Sequence, residues 1–109
     1  MQLAPNDSTT FNSMIGLGVA HFIKGEHRPA IDWMEKGLAI NPLAIWVYRN
    51  LVPAYVAAGR RADARQGVLA LIGENRALSV AAVRDAMVFS RPTMARISQA
   101  LHQSGLALT

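Results

Sequence analysis

Cysteine is absent from this chain of 109 residues, which excludes a disulfide framework, a thiolate metal site and a cysteine nucleophile. Charged residues are scarce as well, at 17% of the chain, whereas hydrophobic residues make up 51%. A chain of this composition buries an apolar core instead of staying disordered. Because a reducing compartment does not support disulfide cross-links, we expect a cytoplasmic protein.

Long apolar runs are missing too, and none reaches the length of about 20 residues that crosses a bilayer. Residues 1–7 have neither the basic start nor the apolar stretch of a signal peptide. The length of the chain suits a single hydrophobic core. We therefore expect one domain over residues 1–109 and no membrane partner.

Residues that could carry chemistry are few and scattered. His21, His27 and His102 are the only imidazoles, and no zinc-binding spacing accompanies them. Gly16 and Gly18 fall inside a predicted helix, whereas a phosphate-binding loop lies between a strand and a helix. No Ser/His/Asp set is evident. The sequence thus predicts no enzyme activity, no cofactor and no metal.

Basic residues exceed acidic ones, giving a net charge of +4 and an isoelectric point near 10.4. Their one local concentration is Arg60, Arg61 and Arg65. Such a cluster is more often a solvated surface than a nucleic-acid footprint. We take the solvated surface as the first interpretation.

A repeat with a period of 34 residues organises most of the chain. Gly25 matches Gly59 at this shift, and Ala30 matches Ala64. Extended in both directions, the alignment defines two units, at 11–44 and 45–78.

Each unit is predicted to form two helices. Apolar residues recur at helical spacing in the first unit, with Met14 and Leu17 on one helix and Met34 on the next. A glycine ends the first helix of each unit, since glycine adopts the left-handed C-cap conformation without steric cost. Asn41-Pro42 ends the second helix because a residue before proline avoids the α region.

The last third of the chain, residues 79–109, leaves the period but keeps helical spacing, with a break around Pro92. We expect a third pair of helices there, which caps the last hydrophobic face of the repeats. In the second unit, Pro53 falls inside a helix predicted from about Leu43 to Ala58. That proline should kink the helix by freeing a carbonyl.

Several features of the two units belong to one pattern. They are the 34-residue period, a large apolar residue followed three positions later by Leu, rings at His21 and Tyr55, the Gly-x4-Ala spacing and a closing Pro42. Together they resemble the tetratricopeptide repeat (TPR) family. Val52 departs from that pattern where a small residue is usual, and Arg76 departs from it where the first unit has Pro42. The resemblance implies an all-α fold, a right-handed superhelix of three antiparallel helical hairpins.

A second set of residues lies in the tail: Leu78-Ser79-Val80, Val83-Arg84, Phe89-Ser90-Arg91-Pro92, Arg96-Ile97, Ala100-Leu101 and Ser104-Gly105-Leu106. It is similar to the end of TPR regions in bacterial class III adenylate or guanylate cyclases and related regulators. Residues 3–7 similarly resemble a Leu-Ser-Pro-x-Asp linker in those proteins. The resemblance implies the C-terminal docking or regulatory region of a longer signalling protein, with any cyclase activity in a separate N-terminal domain.

The TPR resemblance also implies a concave groove lined by the first helix of each hairpin. Residues opposite the packing leucines, Leu17 and Leu51, would bind a partner there: Asn12, Ile15, Val19, Phe22, Trp46, Arg49, Asn50, Pro53 and Val56. The set is mostly apolar. Some TPR domains bind a C-terminal carboxylate through Lys and Asn at these positions, but Ile15, Val19 and Pro53 stand in those places here. We expect the partner to be an amphipathic helix, another part of the parent protein or a second copy in a homodimer.

Nucleic-acid binding is the alternative function. Val83-Arg84 and residues 90–98, on the C-terminal helix pair, can be read as a turn followed by a recognition helix, with Arg91 and Arg96 as contacts. The same segment carries the TPR-like tail, so the protein-binding interpretation is preferred.

Overall fold

The computed structural model describes residues 8–109, and residues 3–7 with their linker-like motif lie outside that range. The described chain is all-helical, as predicted, and contains no strand. Its helices are α1 (Ser8–Ile23), α2 (His27–Ile40), α3 (Tyr48–Ala57), α4 (Arg61–Glu74), α5 (Val80–Ala86) and α6 (Arg91–Gln103), with a 3-10 turn at Ile45–Val47.

The turns that join α1 to α2 and α3 to α4 share one backbone geometry. Gly25 and Gly59 have φ angles of 80° and 78°, in the left-handed region that glycine enters without steric cost. The Gly25 N–H donates to the Phe22 carbonyl at 2.9 Å, and the Gly59 N–H donates to the Val56 carbonyl at 3.0 Å. One position later, the N–H groups of Glu26 and Arg60 donate to His21 and Tyr55 at 2.9 and 2.8 Å. Both turns are therefore Schellman caps, in agreement with the glycine prediction.

The second helices of the two pairs repeat as closely as the turns. α2 and α4 are 14 residues long each, and their first residues stand 34 positions apart. Asn41 and Asn75 cap them, donating to the carbonyls of Gly37 and Leu71 at 2.9 and 3.0 Å. The period seen in the sequence thus holds in the backbone.

The contact inside each pair depends on glycine, at Gly18 and Gly37 in the first pair and at Gly67 in the second. A Cβ placed on Gly18 of α1 would lie 2.6 Å from the Met34 side chain of α2. In the second pair Val52 replaces that glycine on α3, and a Cβ placed on the facing Gly67 of α4 would lie 2.6 Å from Val52. The departure of Val52 from the TPR pattern is therefore compensated across the helix contact.

α3 is the central helix of the core, in contact with α2, α4 and α6. Its residues 50–55 are all buried, and Pro53 lies among them. The prediction that this helix starts near Leu43 was wrong. Ala44 has ψ 60°, outside the α region, so the chain first makes the 3-10 turn and becomes α-helical at Tyr48.

Side-chain caps start both helices of the C-terminal third. The Ser79 Oγ accepts from the Ala82 N–H at 3.1 Å, and the Ser90 Oγ accepts from the Thr93 N–H at 3.4 Å. Serine is among the preferred N-cap residues because its hydroxyl satisfies an N–H that the helix leaves free. The break predicted around Pro92 is the start of α6.

The end of the chain returns to α5 and completes that helix. Gly105 has φ 120°, and Leu106 after it is buried. Residues 107 and 108 then pass the start of α5, where the N–H groups of Val80 and Ala81 donate to the carbonyls of Ala107 and Leu108 at 2.8 and 3.0 Å. These N–H groups have no partner inside the helix, so the tail acts as a backbone cap.

Candidate protein-binding surface

The side chains predicted to line a groove do not share one accessible face. Asn12 and Trp46 are exposed, Val19, Arg49 and Val56 are half-buried, and Ile15, Phe22, Asn50 and Pro53 are buried. The chain's own helices therefore cover almost half of the set. Binding of a partner by the accessible members stays a prediction.

The C-terminal helix fills one end of the predicted groove. The Arg96 guanidinium on α6 lies 4.5 Å from the centre of the Phe22 ring and donates to the Phe22 carbonyl at 3.2 Å. Phe22 is fully buried as a result. A cavity of about 230 Å³ remains between α3 and α6, next to Pro53 and Val56. Sequence reasoning missed Arg96 as a packing residue because it comes 74 positions after Phe22.

Trp46, the other predicted anchor, stays accessible. It is 44% exposed, and its ring meets Phe11 edge to face with centroids 6.1 Å apart. Leu43, three residues earlier, is 86% exposed. Two large apolar side chains thus face outward just before α3.

Arg49 and Asn50 carry buried polar atoms that lack a partner in the described chain. These atoms are Arg49 Nε and Asn50 Oδ1. A buried polar atom without a hydrogen bond costs about 1–3 kcal/mol. Because the Asn50 Oδ1 atom is itself buried, a partner on the surface cannot donate to it, and recognition by Asn50 stays a prediction from the sequence.

The two helix pairs differ most on one side of α1, here named the α1 face and made of Ser13, Leu17 and His21. Ser13 is exposed, Leu17 is 44% exposed and His21 is half-buried. Their counterparts 34 residues later are all buried: Val47, Leu51 and Tyr55. The α1 face therefore matches a surface of α3 that the fold covers.

This contrast corrects one prediction. Leu51 is a packing contact as expected, with no exposed surface, but Leu17 is not. The repeat alignment treats the two leucines as equivalent. However, α3 follows α2, which packs against it, whereas no described helix precedes α1. The 34-residue period alone thus shows which residues of α1 correspond to the covered surface of α3.

A polar cluster ends the covered surface where α2 meets α3. The Tyr55 hydroxyl donates to the Glu35 carboxylate at 2.5 Å, and Arg60 Nη2 donates to the same oxygen at 3.4 Å. Arg60 also stacks 4.8 Å from the Tyr55 ring centre and pairs with Asp63 at 2.9 Å. Burial, together with the hydrogen bond to Glu35, raises the pKa of Tyr55 far above its usual 10.0.

The histidines and the tail arginines do not form a chemical site. His21 pairs with Glu26 at 2.7 Å, and His102 Nδ1 lies 3.0 Å from the Leu106 carbonyl. Among the described residues no group of three or more His, Cys, Asp or Glu could hold a metal. Arg91 is exposed, but the guanidinium of Arg96 is engaged with Phe22. The recognition-helix reading thus loses one of its two contacts.

No helix in residues 8–109 is long and apolar enough to cross a membrane. Comparison of the chain with protein-family models, with curated proteins and with solved structures finds no match.

Proposed function

We propose that this chain is a protein-protein interaction module made of tandem helical hairpins, and that it catalyses no reaction. The observation that carries the proposal is the repeated helix pair, in which one surface is covered in the second copy and open in the first. Repeat proteins are stabilised by contacts between neighbouring units, so an open unit surface is a place where another helix can bind.

The finer parts of the proposal rest on sequence resemblance and on the repeat. The two Schellman caps, the equal second helices and the 34-residue period support a TPR-type superhelix of three hairpins, with α5 and α6 as the capping pair. A docking or regulatory region of a cyclase-type signalling protein is supported by the tail motif alone. A cytoplasmic location rests on the lack of cysteine.

Two surfaces would take part in binding. The α1 face offers Leu17 at its centre, and the segment before α3 offers Leu43 and Trp46. Aromatic and aliphatic side chains that are accessible in the free protein are common anchors of protein interfaces. Phe22 would contribute only indirectly, by seating α6.

A selection experiment tests the proposal. A library of helical peptides is displayed on phage and selected on the native chain, on Leu17→Arg and on Leu69→Arg, a matched change at a leucine of α4 that is 55% exposed. We expect enrichment on the native chain and on Leu69→Arg that is lost on Leu17→Arg. Absence of enrichment, or enrichment that ignores Leu17, would show that the α1 face does not bind helices.

The nucleic-acid alternative is tested on the same proteins. Labelled duplex DNA should not be retained at about 0.15 M salt, and retention should not respond to Arg91→Ala. Salt-dependent retention that Arg91→Ala abolishes would replace the protein-binding proposal with the alternative.

A further inference from the structure

The packing of α2 on α3 shows how a helix can cover the α1 face, because α3 corresponds to α1 in the repeat. Ile31, Glu35 and Leu38 recur at helical spacing on one side of α2. Ile31 lines one cleft together with Ala58 at the end of α3, and Glu35 accepts from Tyr55. A helix on the α1 face would lie in the same way 34 residues earlier.

The charges at the end of the α1 face are reversed relative to that example. Glu26 stands in the place of Arg60, and His21 stands in the place of Tyr55. Glu26 is half exposed, with 50% of its side chain accessible, and its carboxylate binds the His21 ring at 2.7 Å. A carboxylate in the position of Glu35 would meet Glu26 and be repelled, whereas a cation would meet an accessible counter-charge.

Lys24 adds a second charge condition. It stands in the place of Ala58, which lines a cleft with Ile31 and Asp32 of α2. An acidic residue in the position of Asp32 would therefore approach Lys24. The pattern on the incoming helix is an acid, followed three residues later by a base.

We propose that the α1 face binds an amphipathic helix with apolar residues in the positions of Ile31 and Leu38, an acid in the position of Asp32 and Lys or Arg in the position of Glu35. This inference rests on the proposed function and specifies its partner by chemistry. The partner helix packs on α1 in the way that α2 packs on α3. The ion pair has its charges exchanged, with the base on the partner helix and the acid, Glu26, on this chain.

A second copy of the chain does not supply this pattern. The side of α4 that corresponds to Ile31, Glu35 and Leu38 carries Arg65, Leu69 and Ile72. It has no base in the Glu35 position, so Glu26 would face Leu69. The end of the chain also lies against α4, where Gly105 is close to Val68.

The binding experiment uses two peptides that differ in one charge. Both have the sequence of α2 (His27–Ile40), one native and one with Glu35→Lys, and a hydrocarbon staple joins positions 29 and 33. The staple is needed because an isolated helix of this length is marginal, and helical spacing puts it away from position 35. Affinity for the full chain is measured by fluorescence anisotropy, together with Leu17→Gln, Leu69→Gln and Glu26→Lys variants.

We expect the Glu35→Lys peptide to bind roughly three- to tenfold more tightly than the native peptide, as an exposed pair of charges allows. The chain has a net charge of +4, so nonspecific attraction would favour the native peptide over the more positive Glu35→Lys peptide. Tighter binding of the Glu35→Lys peptide therefore identifies a local contact. Glu26→Lys should reverse the preference. Leu17→Gln should weaken both peptides at least tenfold, whereas Leu69→Gln should change neither.

Each other outcome overturns the inference in a recognisable way. Equal binding of both peptides that still depends on Leu17 removes the charge rule and leaves the proposed function standing. Binding that Leu17→Gln does not weaken means that the peptide has replaced α2 within the fold. Self-association of the chain that Leu17→Gln abolishes identifies a second copy as the occupant. If neither peptide binds, the phage selection shows whether the α1 face binds any helix at all.

Discussion

The glycine that lets α3 and α4 approach each other gives a sharp test of the packing. Gly67 lies in the middle of α4, where a Cβ would come within 2.6 Å of Val52 Cγ2 and 2.8 Å of Tyr48 Cδ1. Gly67→Ala adds that atom at a buried contact with two side chains of α3. Gly16→Ala in α1 is the matched control, because a Cβ there has nothing within 4 Å.

Two opposing free energies decide the result. Alanine in place of glycine favours a helix by about 0.5–1 kcal/mol, and this gain applies to both variants. Overpacking a buried contact costs about 1–3 kcal/mol, and this loss applies to Gly67→Ala alone. The free energy of unfolding should therefore rise for Gly16→Ala and fall by as much as about 2 kcal/mol for Gly67→Ala.

Urea unfolding followed by far-UV circular dichroism measures both values. A third variant checks the cause, since Val52→Ala removes the methyl group nearest to the added atom. Combined with Gly67→Ala, it should cost at least about 1 kcal/mol less than the sum of the two single changes. Should Gly67→Ala stabilise the protein as much as Gly16→Ala, or should the two changes simply add, the close contact between α3 and α4 would be disproved.

Three further changes test other contacts. Arg96→Ala should lower the free energy of unfolding by about 1–3 kcal/mol, since it removes both the stacking on Phe22 and a hydrogen bond, and amide hydrogen exchange should speed up mainly in α6. Ser90→Ala should cost about 1 kcal/mol in thermal unfolding through loss of the N-cap, and an unchanged midpoint would contradict the cap. Tyr55→Phe tests pH dependence: because the pKa of Tyr55 is raised by burial and by Glu35, the stability it contributes is complete below pH 10.0 and lost as the pH rises beyond it. The native protein should therefore lose more stability than Tyr55→Phe between about pH 8 and pH 11, measured by urea unfolding at each pH.

Local features of the fold could be predicted from the sequence, and long-range ones could not. Gly25, Gly59 and Asn41 ended helices where expected, because caps depend on a few neighbouring residues. Helical spacing also identified Leu51 as buried. The same spacing misjudged Leu17, since periodicity gives the apolar side of a helix but not whether another helix lies on it.

The candidate surface shows the same limit. Both Trp46 and Phe22 were assigned to the groove, but Trp46 is accessible whereas Phe22 is covered by α6. Nothing in the residues near Phe22 indicates that Arg96 will stack on it. Only the packing of α6 on α3 brings the two side chains together.

The backbone cap at the start of α5 has a consequence for protein synthesis. α5 has seven residues, fewer than an isolated helix needs, and two of its first N–H groups donate to Ala107 and Leu108. The ends of α1 to α4 are capped by residues that directly follow each helix, so these helices can form in the usual N-to-C order. α5 cannot be completed until residues 107 and 108 have emerged. The segment translated after α6 therefore caps a helix that was translated before α6.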